Sequence, residues 1–159
     1  MKILVTGHAG FLGAKLTSSF LRKKHAVIGI DIKKTKTFKD YKNFSQYKIN
    51  LSNSKKIHSL FKRIKKVDFV IHTAAITPKA VKPPIITFKD NLNIANQLST
   101  YIGKNDTKLI HISSASVYAI NDDLCNEDSL KTSTDLYGQS ILTAEEIFRK
   151  ELINVITLR

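Results

Sequence analysis

Three glycines punctuate the stretch Thr6-Gly7-His8-Ala9-Gly10-Phe11-Leu12-Gly13 in the pattern G-x-x-G-x-x-G. The stretch directly follows the apolar run Ile3-Leu4-Val5, which predicts a short buried strand. It opens a segment from Phe11 to Lys24 with apolar residues at helical spacing, namely Leu12, Leu16, Phe20 and Leu21. Glycines at a strand-to-helix turn allow a tight turn and let the backbone approach a pyrophosphate, which then meets the positive end of the helix. This context favours a dinucleotide-binding turn over an ordinary glycine-rich turn.

A carboxylate follows at the distance that such a turn requires. Asp31 ends the predicted second strand, about 20 residues after the glycines, where an acidic side chain binds the adenosine ribose hydroxyls and repels a 2′-phosphate. The alternative is an aspartate that only caps the turn after its strand. Lys33 and Lys34 come next and would soften the discrimination, but the pattern favours NAD over NADP.

Strand-length apolar runs alternate with helix-length segments along the rest of the chain, which fits one domain. Further strands are predicted at 26–30, 46–49, 67–72, 109–112 and 155–158, and further helices at 52–65 and 86–102. The Pro83-Pro84 pair should break the chain before the last of these helices, and Gly103-Lys104-Asn105-Asp106 should close it. The alternation predicts the α/β class, as a Rossmann-type doubly wound parallel sheet with helices on both faces. The polar stretch from Asn121 to Thr134 is long enough to be a functional loop or lid.

The formal net charge of +13 allows two interpretations, a nucleic-acid or membrane surface and a lysine-rich composition spread over solvated faces. The lysines are scattered and lack the interleaved aromatic residues of a base-stacking platform, which favours the second interpretation. We therefore predict neither a nucleic-acid nor a membrane partner. The charge would still attract an anionic dinucleotide or nucleotide sugar.

The sequence also bears on the compartment. No run approaches the ~20 apolar residues of a membrane span, and the N-terminus leads into the glycine turn without the features of a signal peptide. The single cysteine, Cys125, cannot form an internal disulfide. We predict a cytoplasmic protein.

Further motifs give the chain a family resemblance. The glycine spacing resembles that of the extended short-chain dehydrogenases/reductases, which include nucleotide-sugar epimerases and dehydratases. Other matches follow in the family's order over essentially the whole chain: Val70-Ile71-His72-Thr73-Ala74-Ala75, Asn91-Leu92-Asn93, Ile110 to Tyr118 with its S-S-A-x-V-Y signature, Tyr137-Gly138-Gln139-Ser140 with Leu142 and Glu145, and Val155 to Arg159.

The resemblance implies roles for individual residues. Ser114 matches the serine that hydrogen-bonds the reacting sugar oxygen. Tyr137 matches the general acid/base that exchanges a proton with that oxygen while hydride moves to or from the nicotinamide. No metal ligands are implied. The implied NAD-binding residues are Gly7, Ala9, Gly10, Phe11, Leu12, Gly13, Asp31, Ile32, Asn50, Leu51, Thr73, Ala74, Ala75 and Asn91.

The sequence departs from the family at three positions. The family's lysine four residues after the tyrosine, which binds the nicotinamide ribose and activates the tyrosine, is replaced by Ile141. Ile141 shares a stripe with Ala144, Phe148 and Leu152, which predicts a core residue. Asn50 stands where the family usually has an aspartate near the adenine, and Ala119 replaces a glycine.

Length is the largest departure, because the family continues for well over a hundred residues into a domain that binds the nucleotide sugar. We expect residues 1–159 to be the NAD-binding domain alone, as a fragment, the product of a disrupted gene or a domain completed by a partner. Two functional hypotheses stay open: part of a nucleotide-sugar epimerase, dehydratase or reductase, and an inactive NAD-binding module. A homodimer through the helices near 86–102 and 137–152 is a further expectation.

Overall fold

The computed structural model describes residues 1–77, 83–118 and 125–159. Over these ranges six parallel strands form one sheet in the order β3-β2-β1-β4-β5-β6, which confirms the Rossmann-type prediction. The strands are β1 (Lys2–Thr6), β2 (Ala26–Asp31), β3 (Phe44–Lys48), β4 (Phe69–His72), β5 (Lys108–Ile112) and β6 (Val155–Leu158). The helices are α1 (Phe11–Arg22), α2 (Ser54–Ile64), α3 (Pro84–Asn105) and α4 (Leu136–Glu151), with a short 3-10 turn at Ala115–Val117.

Helices cover the sheet on both faces. On one face α2, α3 and α4 bury the larger apolar cluster, which contains Phe148 and Leu98 with no exposed surface. On the other face α1 packs with Phe38, a buried residue from the segment between β2 and β3 that the sequence analysis did not single out. Successive strands are added outward from β1 to β3 on one side and from β4 to β6 on the other, so the strand order switches direction between β1 and β4. A doubly wound sheet binds its ligands at such a switch, beyond the carboxyl ends of the strands.

Helix α3 starts earlier and ends later than the sequence predicts. Pro84 lies in its first turn, where the missing N–H costs nothing, so the proline pair begins the helix instead of merely preceding it. Gly103 and Lys104 stay helical because the left-handed residue that ends the helix is Asp106, with φ 48°. Strand β3 likewise begins earlier than predicted, at Phe44, whose ring contacts Phe38 edge-on.

Helix α1 packs three of its four predicted apolar residues on the sheet, because Leu21 is buried and Leu16 and Phe20 contact the same cluster. Gly13, Thr17 and Leu21 face the sheet, whereas Leu12 is 39% exposed. Close packing of the helix start on the turn selects the small residue and leaves the leucine outward. In α4 the predicted stripe is confirmed, because Ile141, Ala144, Phe148 and Leu152 are all buried.

One part of the sheet remains open on the α1 side. Ile156 and Leu158 of β6 are 57% and 50% exposed, and they pair with Ile110 and Ile112 of β5, which are only half-buried. Parallel sheets normally have both faces covered. The apolar surface at this edge is therefore suited to further polypeptide.

Candidate dinucleotide-binding and catalytic site

The glycine-rich turn has the geometry that its spacing predicts. Gly7 adopts φ 74°, a left-handed conformation that favours glycine, and its N–H donates to Ile30 O at 2.8 Å. A Cβ on Gly13 would lie 2.0 Å from Gly7 O, so only glycine lets α1 begin this close to the turn. The Gly10 N–H donates to Gly7 O at 2.9 Å and closes the turn.

The N-terminus of α1 is left uncapped by side chains. Its capping residue, Gly10, has none, and within the part of the chain that the structure describes the helix start has no side-chain cap hydrogen bond. The first N–H groups of a helix have no partner within the helix, and together with the positive end of the helix dipole they bind phosphate. This end of α1 therefore offers a pyrophosphate site.

Asp31 connects the turn to the segment after β2. Its Oδ2 accepts from the Ala9 N–H at 3.1 Å and its Oδ1 accepts from the Lys33 N–H at 2.9 Å. Asp31 therefore caps the turn after β2, as the alternative interpretation of this residue predicts. Asp31 also lines the cavity beside the glycines, and its contact with an adenosine ribose stays a prediction.

That cavity has a volume of about 220 Å³. It lies along the carboxyl ends of β1, β2 and β4, where a doubly wound sheet binds nucleotides. Of the predicted NAD-binding residues, it is lined by Gly7, Gly10, Asp31, Ile32, Asn50, Leu51, Thr73, Ala74 and Ala75. Ile49, Ile76 and Ile94 also line it and were not predicted, although the first two directly adjoin predicted residues.

The remaining predicted NAD-binding residues lie outside the cavity lining. Ala9 contributes its N–H to Asp31, while Phe11 is 82% exposed and Leu12 is on the outer side of the first turn of α1. Asn91 is buried, and its amide bonds the N–H and the C=O of Ile76 and the hydroxyl of Ser140. In this structure Asn91 therefore holds the cavity wall in place.

Ser114 and Tyr137 lie on two elements that contact each other. The Ser114 hydroxyl caps the 3-10 turn by accepting from the Ser116 N–H at 3.1 Å. A Cβ on Gly138 would lie 2.1 Å from Ser116 O, so this glycine lets the start of α4, with Tyr137, pack directly on that turn. Both hydroxyl-bearing side chains are half-buried at this junction.

Position 141 offers no charge to this junction. Ile141 is 4% exposed on the buried side of α4, so the core role predicted for it is confirmed. The predicted functional loop from Asn121 to Thr134 begins outside the described residues, and Ala119 also lies outside them. Its described part includes Ser133, whose Oγ lies 2.0 Å from a Cβ placed on Gly138.

An ion pair joins α4 to the residue after β6. Arg159 donates to Glu145 through Nε at 3.0 Å and through Nη2 at 2.6 Å, and Ser113 Oγ donates to the same carboxylate. Burial alone would raise the pKa of Glu145, but the hydrogen bonds from Arg159 and Ser113 hold that pKa below its usual value. These residues matched family motifs without an assigned role, and the structure shows that they tie α4 to the last strand.

Two stacked histidines lie beneath the site. The rings of His72 on β4 and His111 on β5 are 5.2 Å apart, and Phe148 contacts both edge-on. A hydrogen bond of 2.7 Å joins His72 Nδ1 to the Thr6 hydroxyl, whereas neither ring nitrogen of His111 has a partner among the described residues. Burial, and then the neighbouring His111, lowers the pKa of His72 well below its usual value, and burial lowers the pKa of His111 to about 4. Both rings are therefore neutral at pH 7.

Comparison with known proteins agrees with this geometry. The sequence profile of the NAD dependent epimerase/dehydratase family matches residues 3–154. The chain belongs to this family. Among curated relatives, UDP-glucose 4-epimerase from Lactobacillus helveticus is 28% identical over 92% of this chain and 46% of its own length. The dTDP-D-glucose 4,6-dehydratase of Dictyostelium discoideum is 31% identical over 92% of the chain and 39% of its own length. The chain thus spans less than half the length of these two relatives.

Solved structures of the family superpose over the whole chain. UDP-glucuronic acid 4-epimerase from Bacillus cereus, solved with NAD, gives a TM-score of 0.84 at 28% identity, covering 100% of this chain and 56% of that one. The Bordetella bronchiseptica enzyme WbmG, also solved with NAD, gives a TM-score of 0.89 at 23% identity, with coverages of 100% and 52%. The second likeness shows the fold alone. The fold is therefore that of the NAD-binding epimerases.

The described residues contain neither a candidate membrane span nor a candidate metal site. No helix in residues 1–77, 83–118 and 125–159 combines the length and apolar character needed to cross a membrane. The same ranges contain no group of three or more His, Cys, Asp or Glu side chains arranged to hold a metal ion.

Proposed function

We propose that this chain binds NAD and forms the cofactor-binding part of a nucleotide-sugar epimerase, dehydratase or reductase. The observation that best supports this proposal is the cavity at which the glycine turn, the uncapped start of α1 and Asp31 meet. The glycine turn leaves room for a pyrophosphate, and the carboxylate can bind the hydroxyls of the adenosine ribose. The family match and the neighbouring structure of UDP-glucuronic acid 4-epimerase, solved with NAD, support NAD as the cofactor of this site.

The chemistry follows from the junction of the 3-10 turn with α4. Bound NAD supplies a hydride acceptor or donor at the nicotinamide. Tyr137 would exchange a proton with the sugar oxygen, and Ser114 would hold that oxygen by a hydrogen bond. Gly138 supports this assignment because it lets the two elements approach closely.

A second candidate function is an NAD-binding module without catalysis. Ile141 favours it, because a buried aliphatic side chain provides neither the charge nor the hydrogen bond of the family's lysine. Cofactor binding would survive this replacement, since the cavity does not include position 141. The two candidates therefore predict the same binding and differ only in turnover.

Partners and location stay predictions. A nucleotide sugar is the proposed substrate once further polypeptide completes the site, and the open apolar edge at β5 and β6 is the surface such polypeptide would cover. The homodimer through α3 and α4 can be checked by measuring the mass in solution. The cytoplasmic location and the lack of a nucleic-acid partner are proposed from the sequence alone.

Cofactor preference provides the test of this function. We expect NADH to bind with micromolar or weaker affinity and about tenfold or more tightly than NADPH, because the 2′-phosphate would meet the Asp31 carboxylate. Asp31→Asn keeps an acceptor for one of the two N–H groups and removes the charge, so the preference should narrow to near unity. The chain has no tryptophan, so nicotinamide fluorescence can be titrated without indole interference.

Asp31→Ala is the companion variant. It also removes the hydrogen bonds to Ala9 and Lys33, so the affinity for both cofactors should fall further than in Asp31→Asn. Equal affinity of the wild type for NADH and NADPH would show that Lys33 and Lys34, not Asp31, control this end of the site.

A further inference from the structure

The side chain of Gln46 on β3 forms two hydrogen bonds with the backbone of the segment that follows Asp31. Its Oε1 accepts from the Thr35 N–H at 3.0 Å, and its Nε2 donates to Thr35 O at 2.8 Å. The amide thus pairs with Thr35 as a neighbouring strand would. Because donor and acceptor are both specified, the orientation of the Gln46 amide is fixed.

The same amide oxygen reaches the glycine-rich turn through His8. His8 Nε2 lies 3.2 Å from Gln46 Oε1, and since that oxygen is an acceptor, Nε2 must carry the proton. The buried ring lies against β2, where a Cβ on Gly29 would come within 2.5 Å of it. Gly29 therefore makes the space in which His8 connects the turn to Gln46.

One side chain consequently joins the two segments that border the adenosine end of the cavity. The glycine turn contributes His8 between Gly7 and Ala9, and the segment after β2 contributes Thr35, four residues beyond Asp31. Lys33 and Lys34 lie within the segment that Gln46 holds, and both are exposed. The position of their ammonium groups relative to the Asp31 carboxylate thus depends on where the segment is held.

We propose that Gln46 is a positioning residue that sets the choice between NAD and NADP, an inference that rests on the proposed NAD site. While Gln46 holds Thr35, the segment keeps the Lys33 N–H on Asp31, so the carboxylate stays oriented toward the ribose. Release of Thr35 lets the segment move, loosens Asp31 and frees Lys33 and Lys34 to meet a 2′-phosphate. Discrimination against NADP then falls although every cofactor-lining residue is unchanged.

The test compares NADH and NADPH affinities of the wild type, Gln46→Ala and Gln46→Leu. We expect both variants to bind NADH about tenfold more weakly, as the loss of backbone hydrogen bonds implies, and NADPH within about twofold of the wild type. The ratio of affinities should therefore fall at least fivefold by the same reasoning. Gln46→Leu keeps about the same side-chain volume and serves as the second variant if the alanine leaves too large a gap.

Two matched variants separate this effect from general destabilisation. Thr35→Ala keeps the backbone groups that Gln46 binds and loses only the hydroxyl contacts with Thr37, so its ratio should equal that of the wild type. Ser45→Ala changes an exposed neighbour on the same strand and should also be neutral. Equal weakening of NADH and NADPH by the Gln46 variants would overturn the proposal while leaving the NAD site intact. Absence of NADH binding by the wild type would overturn the proposed function itself.

Discussion

We expect no measurable epimerase, dehydratase or sugar-reductase turnover from the 159-residue chain. The first reason is Ile141, which leaves Tyr137 without the cation that activates it in the family. General acid–base catalysis is typically worth ~10²–10⁴-fold. The second reason is that these residues span less than half the length of the two curated relatives, and the family resemblance assigns sugar binding to the remaining part; such positioning can supply ~7–11 kcal/mol of barrier lowering.

The two losses need not add, because Tyr137 cannot act on a sugar that is not held. Ile141→Lys alone should therefore restore little activity. It also places an ammonium at a position that is only 4% exposed, which should lower the free energy of unfolding. Fusion of a family substrate domain after Arg159, combined with Ile141→Lys, should restore much more.

The assay is conversion of UDP-sugars and dTDP-sugars with NAD present, followed by chromatography. The matched control is Tyr137→Phe in the fused Ile141→Lys protein, which should lose the restored activity. Clear turnover by the unmodified chain would contradict this expectation and would mean that another residue replaces the family's lysine.

Acid should destabilise the protein strongly between pH 7 and pH 5, well above the range in which carboxylates titrate. Burial lowers the pKa of His111 to about 4 in the folded chain, whereas an unfolded histidine titrates near 6.5. Below pH 6.5 the unfolded state binds a proton that the folded state does not, so the free energy of unfolding falls with pH. His111 alone should remove about 2 kcal/mol by pH 5 and about 3 kcal/mol by pH 4.

His72 shifts in the same direction and adds to the loss. Glu145 affects stability only at lower pH. Its stabilising pair with Arg159 is lost only as the pH falls through the pKa of Glu145, which is already below the usual carboxyl value. Urea unfolding at pH 7.5 and pH 5 measures the effect. His111→Phe removes a ring whose two nitrogens have no hydrogen-bond partner among the described residues, and it should flatten the pH dependence. His58→Gln, at an exposed position, should not. An unchanged free energy of unfolding between the two pH values would contradict the prediction that both histidines are neutral in the folded chain.

Much of the fold is readable from local patterns, and the exceptions have physical causes. Period and composition predicted each strand of the described sheet, but β3 begins two residues earlier than predicted, at Phe44, whose ring contacts that of Phe38. Likewise, Gly103 is a plausible helix end by residue type. The helix passes through it because Asp106 takes the left-handed conformation instead.

The site was predictable where backbone conformation dictates residue type and less so where side chains meet across the sheet. The spacing predicted the turn at Gly7, which has a left-handed conformation, and the place of Asp31 beside the cavity. The family resemblance assigns Asn91 to the cofactor, whereas in the fold its amide bonds Ile76 and Ser140. No feature of the sequence distinguishes these two roles. The stacking of His72 on His111 depends on the register of β4 and β5, which the sequence does not specify.

Amide chemical-shift mapping of NAD binding tests the central claim most directly. On addition of NAD we expect shifts concentrated at the glycine turn, at Asp31 and Ile32, and at the ends of β3 and β4 that line the cavity. Gly10→Val should abolish them, because its side chain would enter the phosphate path, whereas Gly103→Ala, whose Cβ meets Leu152 at an ordinary 3.7 Å, should preserve them. Shifts that are absent at millimolar NAD, or that cluster away from this cavity, would contradict the NAD site.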